Sequence, residues 1–472
     1  YMSDRDDSGG GSPVSVRGSL VLITIAGCLA MVYSTAVSSP ATIDYFRNLG
    51  ATKFHFSLLG GLPLIMISLQ FVGAALTNHL SRRKPTFMVL NILGRLMYIP
   101  IAFLPLWCDA SSSKAIIPSL ILFIGIASAC ANLITPLWLS WMGDVIPRRK
   151  LSTFWGQRHA WMHATWTACY LGITGFTMSS GLPIATAFRV LVVLGCAAGV
   201  TDILLFFWVH EPRPDLPETD PLLAQMLEPL RNPDFRSFLI FSCAWGAAVS
   251  WAAPFMQLYV LEVLGLSVWQ TTLVWCTCGV GSILAARTIG RIADRHGNRP
   301  LLVISVSLKS MIVIVFLLLT PGTVIWVLPI AFLFDSMLNS LLVVANNGYL
   351  LKGAPPENRA MFVAAMTGLA GICGGLVAMA SGAFLEATAG QSWRLLGREW
   401  NNYQAMFAIG VLLRWGCVLL VRYIREPESS RSAEVLEELG NVWPFQVFLF
   451  PVELGRKILR FWDEDADHDV NA

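Results

Sequence analysis

Six ionisable side chains lie inside long apolar stretches of the sequence: Arg95, Arg189, Asp202, Lys309, Asp335 and Arg414. A charge in such a segment is costly unless it meets an opposite charge, a solute or a proton. At about 1.5 Å of rise per residue, Asp335 would lie about 16 Å along its helix and Lys309 about 12 Å along the preceding one. We therefore keep two alternatives open: a fixed Lys309–Asp335 ion pair, or a carboxyl group that takes up and releases a proton.

A second possible pair is formed by Arg95 and Asp202, whose estimated depths along their helices are about 13 and 10 Å. Similar depths on two helices favour a structural ion pair between them. Arg189 and Arg414 are expected to reach toward a membrane interface or a backbone carbonyl.

His159 and His163 are four residues apart, so one helix face could carry both rings. A metal site usually needs three or four ligands, and no third ligand is near in the sequence. The ten cysteines show neither a CxxC pair nor zinc-type spacing. The sequence therefore predicts no metal site and no cofactor.

The elements that carry these residues are predicted to be membrane-spanning helices. Only 13% of the residues are charged, about half the usual share in soluble proteins, and the net charge of +3 gives no reason to expect a nucleic-acid partner. A span needs about 20 apolar residues. Twelve such stretches occur, at 18–39, 56–77, 86–106, 116–138, 161–178, 187–209, 237–261, 268–286, 301–320, 324–346, 361–385 and 403–421.

A proline-rich stretch, 210–236, separates the first six spans from the last six. The predicted fold is an all-α membrane protein with two pseudo-symmetric six-helix bundles. Its predicted parts are a disordered tail (1–16), a first bundle (17–209), a cytoplasmic linker (210–236) with a short surface helix near 222–230, a second bundle (237–424) and a cytoplasmic amphipathic tail (425–472).

The loops on the linker side carry 16 Lys and Arg residues, whereas those on the opposite side carry 5. Basic loops usually stay in the cytoplasm. We therefore predict a multi-pass protein of the plasma (bacterial inner) membrane, with both termini cytoplasmic.

The two halves share sequence landmarks. Pro85 and Pro300 each follow a basic turn before the third span of their half, 215 positions apart, and Pro147 and Pro356 precede the fifth spans, 209 positions apart. This recurrence predicts duplicated halves with a solute site between them, a plan common among transporters.

The loop after the eighth span reads GRIADRHGNR over residues 290–299. It resembles the cytoplasmic signature G-x-L-A-D-R-x-G-R-K of the major facilitator superfamily. The resemblance implies a gating latch made by Gly290, Asp294, Arg295, Gly297 and Arg299 that favours the outward-facing state. The corresponding turn of the first half lacks the Asp-Arg pair, and Asp144 is a candidate for the missing acid.

The resemblance also implies that spans 1, 4, 7 and 10 line a central cavity. The candidates for binding a solute or coupling ion are then Asp335 with Lys309, together with Asn339, Tyr33, Asn132, Trp251 and Gln257. Aromatic faces with a few amide and hydroxyl groups suit a small polar or amphipathic solute.

The predicted function is secondary active transport of a small organic solute by alternating access, with H⁺ as a candidate coupling ion. No Walker A sequence is present to couple ATP, and no cluster of nucleophile, acid and base indicates an enzyme. The alternative is a non-transporting membrane scaffold or sensor of the same fold, whose C-terminal tail docks a protein partner.

Overall fold

The computed structural model describes residues 16–80, 82–107, 113–146, 151–212, 222–353, 358–395, 398–424, 426, 429–443 and 445–446. The predicted disordered tail falls almost wholly outside this part of the chain. So does most of the predicted amphipathic tail, from residue 447 to the last residue.

The first half is built from nine α-helices within the described residues. They are α1 (Val16–Ser38), α2 (Pro40–Asn48), α3 (Lys53–Met66), α4 (Gln70–His79), α5 (Lys84–Leu96), α6 (Tyr98–Phe103), α7 (Ser113–Val145), α8 (Leu151–Ser179) and α9 (Ile184–Leu205). Two of the predicted spans in this half are therefore two helices joined by a break: the span 86–106 contains α5 and α6, and in the span 56–77 a short 3₁₀ turn, Ile67–Leu69, joins α3 to α4. The first span is followed by a separate helix, α2, which begins at Pro40. Proline and 3₁₀ turns are common causes of such breaks.

The second half repeats this arrangement after a connecting helix. The elements are α10 (Leu222–Arg231), α11 (Pro233–Ser250), α12 (Ala253–Glu262), α13 (Val268–His296), α14 (Arg299–Leu318), α15 (Val324–Gly353), α16 (Arg359–Ala387), strands β1 (Ser392–Leu395) and β2 (Arg398–Asn401), α17 (Asn402–Val421) and α18 (Ser432–Gly440). The strands form an antiparallel hairpin. Helix α10 lies where the sequence predicts a short helix in the linker.

Eleven helical segments of the described chain are long and apolar enough to cross a membrane. The fifth predicted span is not among them, yet α8 is a continuous helix of 29 residues that packs against α1 and α13. It begins ten residues before the predicted span, because polar residues such as Gln157, Arg158 and His159 lie in its first turns. Counted together with α8, the first half has the six long helical segments that the sequence predicts.

Equivalent helices pack together in each half. In the first half α1 packs on α9 and α8, and α7 packs on α4 and α5; in the second half α11 packs on α17 and α16, and α15 packs on α13 and α14. The predicted all-α fold with two pseudo-symmetric bundles is confirmed.

The bundle has two ends, which we name by their landmarks. The linker face is the end where α9 finishes and α10 begins, and the hairpin face is the end that carries β1 and β2. The halves approach each other through glycines on α3 and α16: a Cβ at Gly371 would lie 2.4 Å from the Leu64 carbonyl oxygen, and one at Gly375 would lie 2.6 Å from the Gly61 oxygen. Glycine at these positions lets the two helices come this close.

The buried apolar side chains are divided unequally between the two ends. At the hairpin face one cluster runs through both halves and includes Tyr45 and Phe188 of the first half with Phe255 and Tyr259 of the second. At the linker face the first half and the second half each have a cluster of their own. Among the described residues, the buried core that the halves share therefore lies at the hairpin face.

Candidate functional site

Polar contacts tie the two halves together at the hairpin face. Arg47 Nη1 donates to the Leu261 carbonyl oxygen at 3.0 Å, and Glu386 Oε2 accepts from the Phe54 backbone N–H at 2.9 Å. Lys53 forms an ion pair with Glu262. These contacts come from the ends of α2, α3, α12 and α16, so they close the cleft between the halves at this end.

Glu262 is the centre of this closure. Besides pairing with Lys53, its Oε2 accepts a hydrogen bond from the Tyr403 hydroxyl at 2.8 Å, and the Lys53 ammonium lies 5.2 Å from the Tyr403 ring centre. Sequence reasoning missed all three residues, because each stands at the end of an apolar stretch where a polar residue is ordinary.

A polar chain crosses between the halves at mid-depth. Gln70 Nε2 donates to Asn132 Oδ1 at 3.1 Å, and the Thr367 hydroxyl donates to Gln70 Oε1 at 3.2 Å. The sequence predicts that Asn132 faces a cavity between the halves; in the structure Gln70 links it to Thr367 of the second half. Gln70 and Thr367, on α4 and α16, were not singled out from the sequence.

Among described residues, the hydrogen bonds and ion pairs that join the halves lie at the hairpin face or at mid-depth. Besides the chain through Gln70, the contact between the halves that lies farthest from the hairpin face joins α8 to α13. There Cys276 Sγ lies 3.7 Å from the Thr167 carbonyl oxygen. This distribution matches that of the apolar clusters.

Three of the predicted solute-binding residues have different surroundings from those expected. Trp251 donates its indole N–H to the Met406 carbonyl oxygen at 2.9 Å, so this group is used inside the second half. Gln257 is half-buried and Asn339 is exposed, and neither amide has a hydrogen-bond partner within the described ranges. The structure does not bring these three side chains together into one site.

Asp335 and Lys309 lie in direct contact. Both carboxylate oxygens lie 3.0 Å from the Lys309 ammonium, and Arg414 Nη1 donates to the Lys309 carbonyl oxygen at 3.0 Å. Asp335 lines a groove of about 420 Å³ formed by α14 and α15 alone, with the exposed side chains of Met311, Trp326 and Ile330. The pair therefore borders a groove on the flank of the second half.

Arg95 and Asp202 also form an ion pair, with Nη2 and Oδ2 2.9 Å apart. The Arg95 guanidinium lies over the ring of Tyr33, 4.0 Å from its centre, and Tyr98 packs edge-on against Tyr33. Tyr33, expected to meet a solute, is buried under this cation. The arrangement joins α1, α5 and α9.

A cavity of about 240 Å³ adjoins this pair inside the first half. Its polar lining is Asn91, Arg95, Thr135, Trp138, Arg158 and Asp202. From the sequence, Arg158 is expected in the basic loop before the fifth span. The structure places it about 10 Å inside α8, at 1.5 Å per residue, because that helix starts at Leu151.

The loop that resembles the gating signature joins α13 to α14. Gly297 ends α13 with φ 82°, a conformation that favours glycine, and the Arg299 N–H donates to Glu426 Oε2 at 2.6 Å. Arg295 is exposed and approaches Glu438 of α18 at 3.5 Å. The side chain of Asp294 and the surroundings of Gly290 lie outside the described residues. In the first half, Arg83 Nη1 contacts Asp144 Oδ2 at 2.6 Å, so Asp144 does supply an acid to that turn.

The sequence matches the profile of the Major Facilitator Superfamily over residues 23–383. The chain belongs to the Major Facilitator Superfamily. A curated relative, the proton-coupled antiporter flippase LtaA of Staphylococcus saprophyticus subsp. saprophyticus, is 24% identical over 305 residues, which cover 62% of this chain and 71% of the relative.

Solved structures with this fold include other members of the superfamily. The D-xylose-proton symporter has a TM-score of 0.66 and 16% identity, over 88% of this chain and 99% of the symporter. The nucleoside transporter NupG has a TM-score of 0.60 and 15% identity, over 87% of this chain and 100% of NupG. At such identities the likeness shows the fold and leaves the solute open. This chain is a multi-pass integral membrane protein of a transporter superfamily.

Proposed function

We propose that this protein is a secondary transporter that moves a small organic solute by alternating access, with the proton as its coupling ion. The main support is the unequal core: one apolar cluster joins the halves at the hairpin face, and separate clusters lie at the linker face. Two rigid bundles that touch at one end can rock about a site between them, as in other duplicated transporters.

The linker face is the cytoplasmic face in this proposal. Its loops carry 16 basic residues against 5 on the other side, as expected for cytoplasmic loops. The contacts of Arg47, Lys53 and Phe54 then close the outer end, so the structure corresponds to an inward-facing state. A bacterial inner membrane is the proposed location because the curated relative LtaA is bacterial.

Asp335 is the proposed proton site. Its carboxylate lines a groove, whereas the Asp202 side chain is almost fully buried. Because that groove belongs to the second half alone, Asp335 is proposed to carry the proton without touching the solute.

The alternative role as a scaffold depended on a tail that is free to dock a partner. The described part of the tail contacts the chain itself: Glu438 of α18 accepts from the ring of His296 at 2.5 Å, and Val435 and Leu439 are buried on the second half. These contacts favour transport over the scaffold.

Transport can be tested in proteoliposomes that enclose a pH-sensitive dye. We expect one class of organic solutes, from a panel of sugars, nucleosides, amino acids, organic acids and lipophilic cations, to move protons across the membrane. Asp335→Asn should lose accumulation driven by a pH gradient and keep solute exchange. Absence of solute-dependent flux across the whole panel, in protein that binds none of these solutes, would contradict the proposal.

A further inference from the structure

Arg158 on α8 carries a buried positive charge. The residue is 8% exposed, and its guanidinium carbon lies 5.0 Å from the ring centre of Trp138 and 5.3 Å from that of Trp155. Its Nε atom is buried without a hydrogen-bond partner. Within the described ranges no carboxylate pairs with this guanidinium. The aromatic rings hold the cation in place and leave its charge uncompensated.

Other basic side chains buried to the same degree in the described chain all donate to an oxygen atom. Arg83 donates to Asp144, Lys309 donates to Asp335, and Arg414 donates to the Lys309 carbonyl. A buried charge is ordinarily paired because its desolvation is costly. Arg158 departs from this pattern, and such departures are typical of functional sites.

The guanidinium borders the cavity inside the first half. The cavity holds about 240 Å³, near the small end of ligand pockets, which measure about 300–1,000 Å³. Arg95 and Asp202 on its wall neutralise each other, so Arg158 leaves an excess of one positive charge. Asn91 also lines the cavity, and its amide has no partner among the described residues.

Helix α1 has a glycine, Gly27, at the point where the Arg158 side chain packs against it. A Cβ at Gly27 would lie 2.9 Å from Arg158 Nη2 and 3.1 Å from its central carbon. A larger residue at position 27 would therefore displace the guanidinium from this position.

A planar guanidinium matches the two oxygens of a carboxylate or a phosphate, and its hydrogen bonds to such groups are among the strongest in proteins. Trp138 and the apolar lining residues Ala30, Ala131 and Ile134 suit the uncharged remainder of an amphipathic molecule. We propose that this cavity binds the anionic group of the transported solute, a carboxylate or a phosphate, and that Arg158 recognises it. The inference rests on the proposed transport function, because it names the class of its solute.

The test uses the purified full chain in nanodiscs of phosphatidylcholine, which contain no anionic lipid. Melting temperatures are measured with increasing benzoate, phenyl phosphate and, as an uncharged analogue, benzamide. At least one anion should raise the melting temperature by several degrees in a saturable way, and benzamide should not. The two anions distinguish a carboxylate site from a phosphate site.

Three variants locate the effect. Arg158→Gln should weaken the response to the anion at least tenfold, and Arg158→Lys, which keeps the charge but loses the planar fork, should weaken it less. Arg414→Gln is the matched control, because Arg414 is equally buried but lies in the second half; its response should equal that of the wild type. An unchanged response of Arg158→Gln, or no response of the wild type to either anion, would overturn the proposal.

A purely structural role of Arg158 predicts a different result without ligand. If the charge is kept for a ligand, Arg158→Gln should melt no lower than the wild type, because the substitution removes an uncompensated buried charge. A marked fall in its melting temperature would indicate a structural cation and count against the proposal. If Arg158→Gln does not fold, Gly27→Ala replaces it: a wild-type response of that variant to the anion would overturn the proposal.

The anion site and the transport function can fail separately. Saturable flux of an uncharged solute that Arg158→Gln leaves unchanged would refute the anion site and leave the transporter intact. Anion binding without flux of any solute would retain the site and refute transport.

Discussion

Glu211 and Glu426 occupy equivalent places in the two halves. Glu211 Oε1 accepts from the backbone N–H of Lys84 at 2.9 Å, and Glu426 Oε2 accepts from that of Arg299 at 2.6 Å, across the same sequence separation of 127 residues. Each carboxylate thus lies after the sixth span of its half and caps the start of the third. A negative charge at a helix N-terminus meets unpaired N–H groups and the positive end of the helix dipole.

Replacing either carboxylate by an amide should destabilise the protein. For Glu211→Gln and Glu426→Gln we expect a loss of about 1–3 kcal/mol each, the usual contribution of hydrogen bonds to a charged group. Thermal unfolding in nanodiscs measures it. Glu437→Gln, at an exposed position of α18, is the control. Melting temperatures of both cap variants equal to that of the control would refute the role.

Weakening the closure at the hairpin face should shift the balance between conformations. Glu262→Gln removes the ion pair with Lys53 and weakens the Tyr403 contact, a loss of about 1–2 kcal/mol, which corresponds to a shift in population of about 5- to 30-fold. Spin labels at the exposed positions 161 on α8 and 283 on α13, in a chain without native cysteines, report the separation of the halves on the linker side of the contact between Thr167 and Cys276.

The shorter distance between these labels should gain population in Glu262→Gln. Glu399→Gln is the matched control, because Glu399 pairs with Arg394 at 3.9 Å within the exposed hairpin and does not join the halves. Identical distance distributions for the two variants would show that Glu262 does not hold the gate.

The close approach of α3 and α16 should not tolerate a methyl group. A Cβ at Gly371 would lie 2.4 Å from the Leu64 oxygen, so Gly371→Ala should destabilise the protein by about 1–3 kcal/mol, as overpacking does elsewhere. Gly172→Ala provides the contrast, since nothing lies within 4 Å of its Cβ position; it should be neutral or stabilising, because alanine favours helix. Thermal unfolding compares them, and equal effects would contradict the packing.

Two variants separate the contribution of the Lys309–Asp335 pair to stability from its contribution to transport. Asp335→Asn leaves the Lys309 charge buried, so we expect a loss of about 3–5 kcal/mol, whereas the double variant Lys309→Met with Asp335→Leu should recover most of the stability. Accumulation driven by a pH gradient should remain absent in the double variant. If the double variant accumulates solute again under a pH gradient, the pair serves only to join α14 to α15.

The sequence was sufficient for the fold because a bilayer imposes a simple rule: a span needs about 20 apolar residues. It was less accurate where polar residues enter a span. Helix α8 begins ten residues earlier than expected, because Arg158 and its neighbours resemble a loop until α1 and α7 surround them. Hydropathy cannot detect this, since the guanidinium packs against Trp138, a residue from another helix.

The candidate site illustrates the same limit. The depth of Asp335 and Lys309 along two adjacent helices predicted that they could pair, and they do. Depth alone did not say which way they face, and the structure puts them on a groove of the second half. Trp251, expected near a cavity, uses its indole N–H on α17. Rotation of a helix about its axis depends on its neighbours, and a single sequence does not contain that information.

By itself the sequence determined that lipid surrounds most of the chain, and it determined the two six-span halves, the superfamily and the depths of the Lys309–Asp335 and Arg95–Asp202 pairs. All of these follow from the spacing of apolar and charged residues along one chain. The tertiary structure alone decided that the halves meet at the hairpin face, that Glu262 holds them there, and that Arg158 faces a cavity without a carboxylate. These features join residues from different helices, and their distances in space are set by packing between helices.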